Sequence, residues 1–220
     1  MRKTELKAAL FDLDGVVLDT ESQYSVFWGS QCRRYHPEHP GLENEIKGQT
    51  LQQILEMGWS GPLEKERQVL IERLNAFESQ MQFDYLPGFE AFIADLRLHG
   101  LKTAVVTSSN QLKMESVYRQ HPEFIRLFDA ILTSEDFAES KPSPDCYLRS
   151  ARRFELAREA CVVFEDSING LRSGRAAGMM VVGLVTTNPL EVVRPLSDGQ
   201  IKNYINFNYQ RLNQLWQDIL

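Results

Sequence analysis

An α/β fold built on a doubly wound parallel sheet is what this sequence predicts, on three observations. Short apolar runs recur along the chain without the polar alternation of a half-solvated strand. They take turns with amphipathic helical stretches. Several of them stop at carboxylates or hydroxyls, the arrangement expected where an open α/β sheet binds its ligand. With 220 residues, 43% of them hydrophobic, the chain can bury one such core with a smaller insert.

The first strand is expected near 6–12, where Ala8, Ala9, Leu10 and Phe11 are continuously apolar and Asp12-Leu13-Asp14-Gly15 follows. Two acids two residues apart point the same way if extended geometry continues through Leu13, and Gly15 lets the chain turn away. Close carboxylates repel each other, so a hard cation such as Mg²⁺ between Asp12 and Asp14 is the first inference. A solvated Asp-Gly turn is the plainer alternative. Residues 20–86 lack strand patterning and carry helix-like runs at 22–34, 43–57 and 63–81, which predicts a helical insert.

After the insert the order is regular. Helices are expected near 88–99, 110–120, 144–154 and 167–178, and strands near 101–107, 128–133, 161–165 and 180–185. The strand from Leu101 ends in Thr107-Ser108-Ser109 before Asn110 opens a helix; hydroxyls and free N–H groups at a helix start suit a phosphate, although N-capping is their commoner use. In Ser140-Lys141-Pro142-Ser143-Pro144 two prolines stiffen a loop that carries a single Lys, able to fix a point charge or simply to sit in water. The run from Cys161 to Phe164 ends in Glu165-Asp166, a second acidic strand end. A closing amphipathic helix at 208–220 is expected to turn Leu212, Leu215, Trp216 and Ile219 inward.

Together these segments resemble the haloacid dehalogenase superfamily. The likeness covers nearly the whole chain and rests on Asp12-x-Asp14-Gly15 with Val16-x-x-Asp19-Thr20, then the hydroxyl cluster, Lys141-Pro142 and Glu165-Asp166 in that order. The second acid, Asp14, suggests the aspartyl-phosphate branch. The wording FDLDGVVLDTE, SKPSPDCYL and VFEDSINGLRSGRAAGM is similar to the group of β-phosphoglucomutases and phosphoglycolate-type phosphatases.

The resemblance implies roles. Asp12 is the expected nucleophile and Asp14 the general acid and base. Thr107 is expected to bind a phosphoryl oxygen, with Ser108 and Ser109 beside it, and Lys141 to neutralise Asp12 and the transferring group. Mg²⁺ is expected on Asp12, the Asp14 main-chain carbonyl and Asp166, with Glu165 touching the ion or standing just behind it. The resemblance also makes 20–86 a cap domain over a catalytic core of 1–19 and 87–220, with hinges at Asp19-Thr20 and Tyr85-Leu86-Pro87. Gly48, Gln49, Thr50, Tyr24 and Trp28 are the candidates to face the leaving group.

The cap departs from the mutase pattern. Leu51 stands where those mutases carry an arginine for a second phosphate, Tyr24 where they place a histidine, and Leu74 near an expected lysine. A mutase must hold two phosphates in turn, so the sequence favours hydrolysis of a small phosphate monoester such as a sugar phosphate. β-Phosphoglucomutase activity is the alternative, and a non-catalytic binder of a phosphometabolite or a protein is a second one. Residues 46–50 lack P-loop spacing, which argues against a nucleotide kinase.

A net charge of −6 and a pI near 5.3 disfavour nucleic acid and anionic membranes as partners, since both are gripped by clustered Lys and Arg. The charged start runs into an apolar stretch too short for a signal peptide or a span, so a cytoplasmic monomer acting on a small phosphorylated metabolite is expected. Cys32, Cys146 and Cys161 lack metal-ligand spacing and suit reduced thiols. His36 and His39 lie between prolines, where a loop is expected rather than a helical metal pair.

Overall fold

The computed structural model describes residues 4–219; residues 1–3, in the charged start, and 220, the last position of the expected closing helix, lie outside the described residues. Six parallel strands form one sheet: β1 (Ala8–Phe11), β2 (Lys102–Val106), β3 (Ala130–Leu132), β4 (Cys161–Glu165), β5 (Met180–Leu184) and β6 (Gly199–Ile201), in the order β3-β2-β1-β4-β5-β6. The order reverses between β1 and β4, and a crevice opens there beyond the carboxyl ends of the strands. Asp12 and Asp166 each follow directly on one of these two strands.

The apolar runs are continuous because both faces of the sheet are covered. Ala9, Phe11, Val105, Val162, Phe164 and Val182 pack on one side, where Phe11 stacks on Phe164 at 4.7 Å. Ala8, Leu10, Ala104, Val106, Val163 and Val181 pack on the other. The sixth strand was not expected. Gly199-Gln200-Ile201 has no apolar run of its own and is drawn into the sheet by pairing with β5.

The predicted insert is helical, with its own core of Phe27, Trp28, Cys32, Leu42, Ile46, Ile54, Trp59, Leu70 and Leu74. It holds α1 (Glu21–Tyr35), α2 (Leu42–Glu45), α3 (Leu51–Gly58), a 3₁₀ turn (Gly61–Glu66) and α4 (Arg67–Glu78). The expected run at 43–57 is two helices, because Gly48 breaks it: its φ is +74°, and a Cβ there would run into Ser167. The run at 63–81 likewise begins as the 3₁₀ turn, with Pro62 near its start. The chain enters and leaves the insert side by side, Asp19 N donating to Asp84 O and Leu86 N to Val17 O.

The other helices are α5 (Phe89–Leu98), α6 (Gln111–Gln120), α7 (Phe124–Leu127), α8 (Asp145–Arg153), α9 (Ile168–Ala176), α10 (Leu190–Val193) and α11 (Tyr209–Ile219). In α11 Leu212 and Trp216 are buried and Leu215 is partly so, as expected, but Ile219 is exposed because the helix end runs past the core. The three cysteines are buried and unpaired, and His36 and His39 lie in the turn after α1. No helix among the described residues is long and apolar enough to cross a membrane.

Candidate active site

The carboxyl ends of β1, β2 and β4 converge on a cavity of about 370 Å³, closed from the opposite side by the insert. Asp12, Asp14, Thr107, Ser108, Ser109 and Asp166 line its sheet end; Tyr24, Trp28, Gly48, Gln49, Thr50, Leu51 and Leu74 line the insert end. The candidate catalytic, metal and substrate residues of the sequence lie at this cavity or bonded to a residue that lines it.

Lys141 is the centre of the polar network. Its ammonium is 1% exposed and donates to Asp12 Oδ1 at 2.5 Å, Glu165 Oε1 at 2.6 Å and the Val106 carbonyl at 3.0 Å. Burial alone would lower its pKa, but Asp12 and Glu165 outweigh that and raise it, so it stays charged. Burial pushes the Asp12 carboxyl up to about 7, with Lys141 pulling down and Glu165 and Asp14 pushing up. Asp166 is raised well above the usual carboxylate range by burial and by the charges of Glu21, Glu165 and Asp12.

Glu165 does not face the cavity. Its Oε1 accepts from Lys141 and from the Tyr147 hydroxyl at 2.7 Å, and its Oε2 from the backbone N–H groups of Asp166 and Ser167 and the Ser167 hydroxyl. With both oxygens occupied and no exposure, its place is behind the site, where it holds Lys141. One oxygen each from Asp12, Glu165 and Asp166 nevertheless falls within 4.8 Å of the others. Buried carboxylates this close, with only one ammonium among them, form an oxygen-only donor set of the kind a hard divalent cation takes.

Asp14 accepts from the Thr20 hydroxyl at 2.5 Å, from the Ser109 hydroxyl at 3.1 Å and from the ammonium of Lys113. Lys113 escaped the sequence reading. It is 2% exposed, bonds Ser109 at 3.0 Å and lies 4.7 Å from the centre of the Tyr24 ring. Its signal was present: a Lys in the first turn of α6 is out of place against the helix dipole unless an anion sits beside it. Asn110 caps α6 by accepting from Lys113 N, which leaves Thr107, Ser108 and Ser109 free of that task. Thr107 Oγ1 accepts from Ser109 N, and Ser108 donates to Gly48 O across the cavity mouth.

Thr186, Thr187 and Asn188, past the end of β5, were also missed, although a second hydroxyl cluster at a strand end resembles the one at Thr107. Thr187 donates to Asp166 Oδ2, Thr186 to the Gly15 carbonyl at 2.6 Å, and Asn188 to the Asp166 carbonyl. Gly15 has φ +71°, and a Cβ there would collide with Asp166, so the turn after Asp14 admits no side chain.

At the insert end, some candidates are already committed. Thr50 is the N-cap of α3 in a capping box with Gln53 and accepts from Ser140 at 3.2 Å; Gln49 donates to Glu45 O; the Tyr24 hydroxyl donates to Glu78. These residues line the cavity with backbone, methyl and ring surface more than with free polar groups. Gln53 Nε2 donates to the Lys141 carbonyl and Asn169 to Lys47 O, which fastens the insert down on the core loops.

Comparison with known proteins agrees with this architecture. The Arabidopsis thaliana bifunctional riboflavin kinase/FMN phosphatase is 27% identical over 210 residues, 89% of this chain and 55% of that protein, so the chain spans about half of that relative's length. The Bacillus subtilis β-phosphoglucomutase is 28% identical over 216 residues, 88% of this chain and 91% of the relative. The crystal structure of CbbY from Rhodobacter sphaeroides, solved with phosphate, superposes with a TM-score of 0.72 at 24% identity, over 94% of this chain and 99% of that one, and it shares the fold. Residues 9–184, which run from β1 to the end of β5 and hold both acidic strand ends, match the haloacid dehalogenase-like hydrolases, and the chain belongs to that family.

Proposed function

We propose that the protein hydrolyses a small phosphate monoester, such as a sugar phosphate, through a phosphorylated Asp12. The observation that carries this reading is Lys141, buried between Asp12 and Glu165 at the end of three strands. Such a charge cluster costs stability compared with apolar packing, and its chemistry is what phosphoryl transfer requires.

In the first step an Asp12 carboxylate oxygen attacks phosphorus, the bond to the leaving oxygen breaks, and Asp14 gives that oxygen its proton. In the second, water attacks the same phosphorus while Asp14 takes a proton from it, and phosphate leaves with the Asp12 carboxylate restored. Lys141 and the Thr107 hydroxyl meet the charge on the phosphoryl oxygens. Thr20, Ser109 and Lys113 fix the Asp14 carboxyl. Mg²⁺ suits the oxygen donors of Asp12 and Asp166 with the Asp14 carbonyl, and it supplies cancellation of phosphoryl charge when bound.

Residues 20–86 act as the cap and 1–19 with 87–220 as the catalytic core. The separate hydrophobic cluster of the insert supports a rigid unit that opens at 19–20 and 85–87. With the cap down, water is limited to what the cavity admits.

The test is phosphate release from p-nitrophenyl phosphate with Mg²⁺. Asp12→Asn should lower it by about a thousandfold or more, as loss of a nucleophile does; undiminished release would show that Asp12 is not the nucleophile, and chelation of Mg²⁺ should abolish it. The mutase reading is favoured by the likeness to the Bacillus subtilis β-phosphoglucomutase. Conversion of β-glucose 1-phosphate to glucose 6-phosphate, primed with the bisphosphate and without phosphate release, would decide for it.

A further inference from the structure

Charge is distributed unevenly over the cavity wall. Lys47 lies 3.5 Å from Glu21, Lys113 is bound to Asp14 and Ser109, and Lys141 to Asp12 and Glu165. No arginine lines the cavity, so among the described residues each of the cations around it already has an anionic partner. Glu43, half-buried on the insert wall, has no ion pair with any of them. Beside it Trp28, Ile54 and Leu74 supply apolar surface.

We infer that this wall selects phosphate monoesters whose leaving alcohol is uncharged, and that Glu43 is the residue that turns away a second phosphate or a carboxylate. The inference rests on the phosphatase reading above and specifies its substrate class. A second anionic group brought to this wall gives up its water, meets the Glu43 carboxylate and finds no free ammonium or guanidinium, so nothing offsets its desolvation. An uncharged polyol or sugar loses far less: its hydroxyls can donate to Glu43 and to the Gln52 carbonyl oxygen of the side chain, while its C–H face lies against Trp28. The transferring phosphate keeps its own cation, Lys141, at the other end.

The experiment compares kcat/KM for phosphate release, with Mg²⁺, from glucose 6-phosphate, 3-phosphoglycerate and fructose 1,6-bisphosphate, in the parent protein and in Glu43→Gln and Glu43→Lys. In the parent the sugar monophosphate should lead the two anionic esters by about tenfold or more, the scale of one unpaired like-charge contact. Glu43→Gln, which keeps the shape of the side chain, should narrow the gap, and Glu43→Lys should narrow it further by raising the anionic esters. Equal rates on all three in the parent, or a ratio that neither variant moves, would overturn the charge selection while leaving a phosphatase. Release from none of the three, nor from p-nitrophenyl phosphate, would overturn the phosphatase reading and this inference with it.

Discussion

Gly170→Ala adds one methyl group to the third residue of α9 and should cost far more than its size suggests. A Cβ at that position overlaps the Cδ and both oxygens of Glu165. Glu165 has nowhere to retreat: it is fully buried and bonded to Lys141, Tyr147 and two backbone N–H groups. Overpacking alone costs about 1–3 kcal/mol, and each charge-assisted hydrogen bond that breaks adds roughly 1.5–3 kcal/mol. Ala gains back less than about 1 kcal/mol over Gly in a helix. The net is a loss of about 4 kcal/mol, or roughly 8–16 °C in Tm for a chain of this size. Turnover of p-nitrophenyl phosphate should fall as well, since Lys141 moves with Glu165. Gly29→Ala is the control: it is also helical, and its Cβ meets only the end of the Arg33 side chain at 3.2 Å, so Tm should hold or rise slightly. Thermal unfolding by circular dichroism measures both. A Gly170→Ala protein that melts within about 2 °C of the parent and turns over normally would mean that Glu165 is not the fixed wedge described above.

Two further outcomes follow from the charges. Burial raises Asp12 from 3.8 to about 7 and Asp166 well above its ordinary value, so between those limits the folded state binds more protons than the unfolded one. By proton linkage the metal-free protein should therefore lose stability as pH rises from about 4 to about 7. The surface carboxylates with lowered values, Asp129 and Asp145, act below that window. Mg²⁺ should raise Tm, and more at pH 7.5 than at pH 5.5; a Tm without slope and an equal Mg²⁺ shift at both pH values would contradict the acidic cluster as the metal site. Lys113→Met removes the cation from Asp14, whose side chain is 18% exposed and keeps its bonds from Thr20 and Ser109. A charge-assisted bond is worth about 1.5–3 kcal/mol; if about 2 kcal/mol of that is lost from the transition state, in which Asp14 changes protonation, kcat should fall roughly thirtyfold with KM little changed. An unchanged kcat would remove Lys113 from the machinery.

The parts of this molecule that the sequence displays are those in which a local pattern coincides with a global constraint. β1, β2 and β4 are legible because a strand covered on both faces must be apolar throughout, and Asp12, Thr107 and Asp166 because they follow at once on such a run. β6 was not legible, since Gly199-Gln200-Ile201 becomes a strand through β5 and not through its own residues. The insert was legible as helical but not in its division, which depends on Gly48 passing close to Ser167, a contact between segments far apart in sequence. Lys113 and Asp14 are 99 positions apart, so their pairing shows only when α6 is set against the turn after β1. Thr50 and Tyr24 were found at the cavity, yet their hydroxyls are already bound, Thr50 to Gln53 and to Ser140 of the facing loop and Tyr24 to Glu78, which sequence spacing does not reveal.

The same distinction accounts for the charge at the site. A buried ammonium beside two carboxylates is a poor way to stabilise a fold, because apolar residues of the same volume would serve as well or better. Lys141 with Asp12 and Glu165 still leaves one carboxylate in excess, and Asp166 adds another within reach. Nothing else in the described chain answers that excess: Lys113 is held by Asp14, and Thr186 and Thr187 bring hydroxyls rather than charge. The core therefore carries a deficit of positive charge at the edge of the sheet that lines the cavity. A divalent cation would answer the excess carboxylates, and Lys141 beside them would meet the charge of a phosphoryl group that binds with it. On the phosphatase reading proposed above, the sheet end would take a cation and a phosphoryl group, and the insert wall, whose Lys47 is already paired with Glu21, would face the rest of the ester.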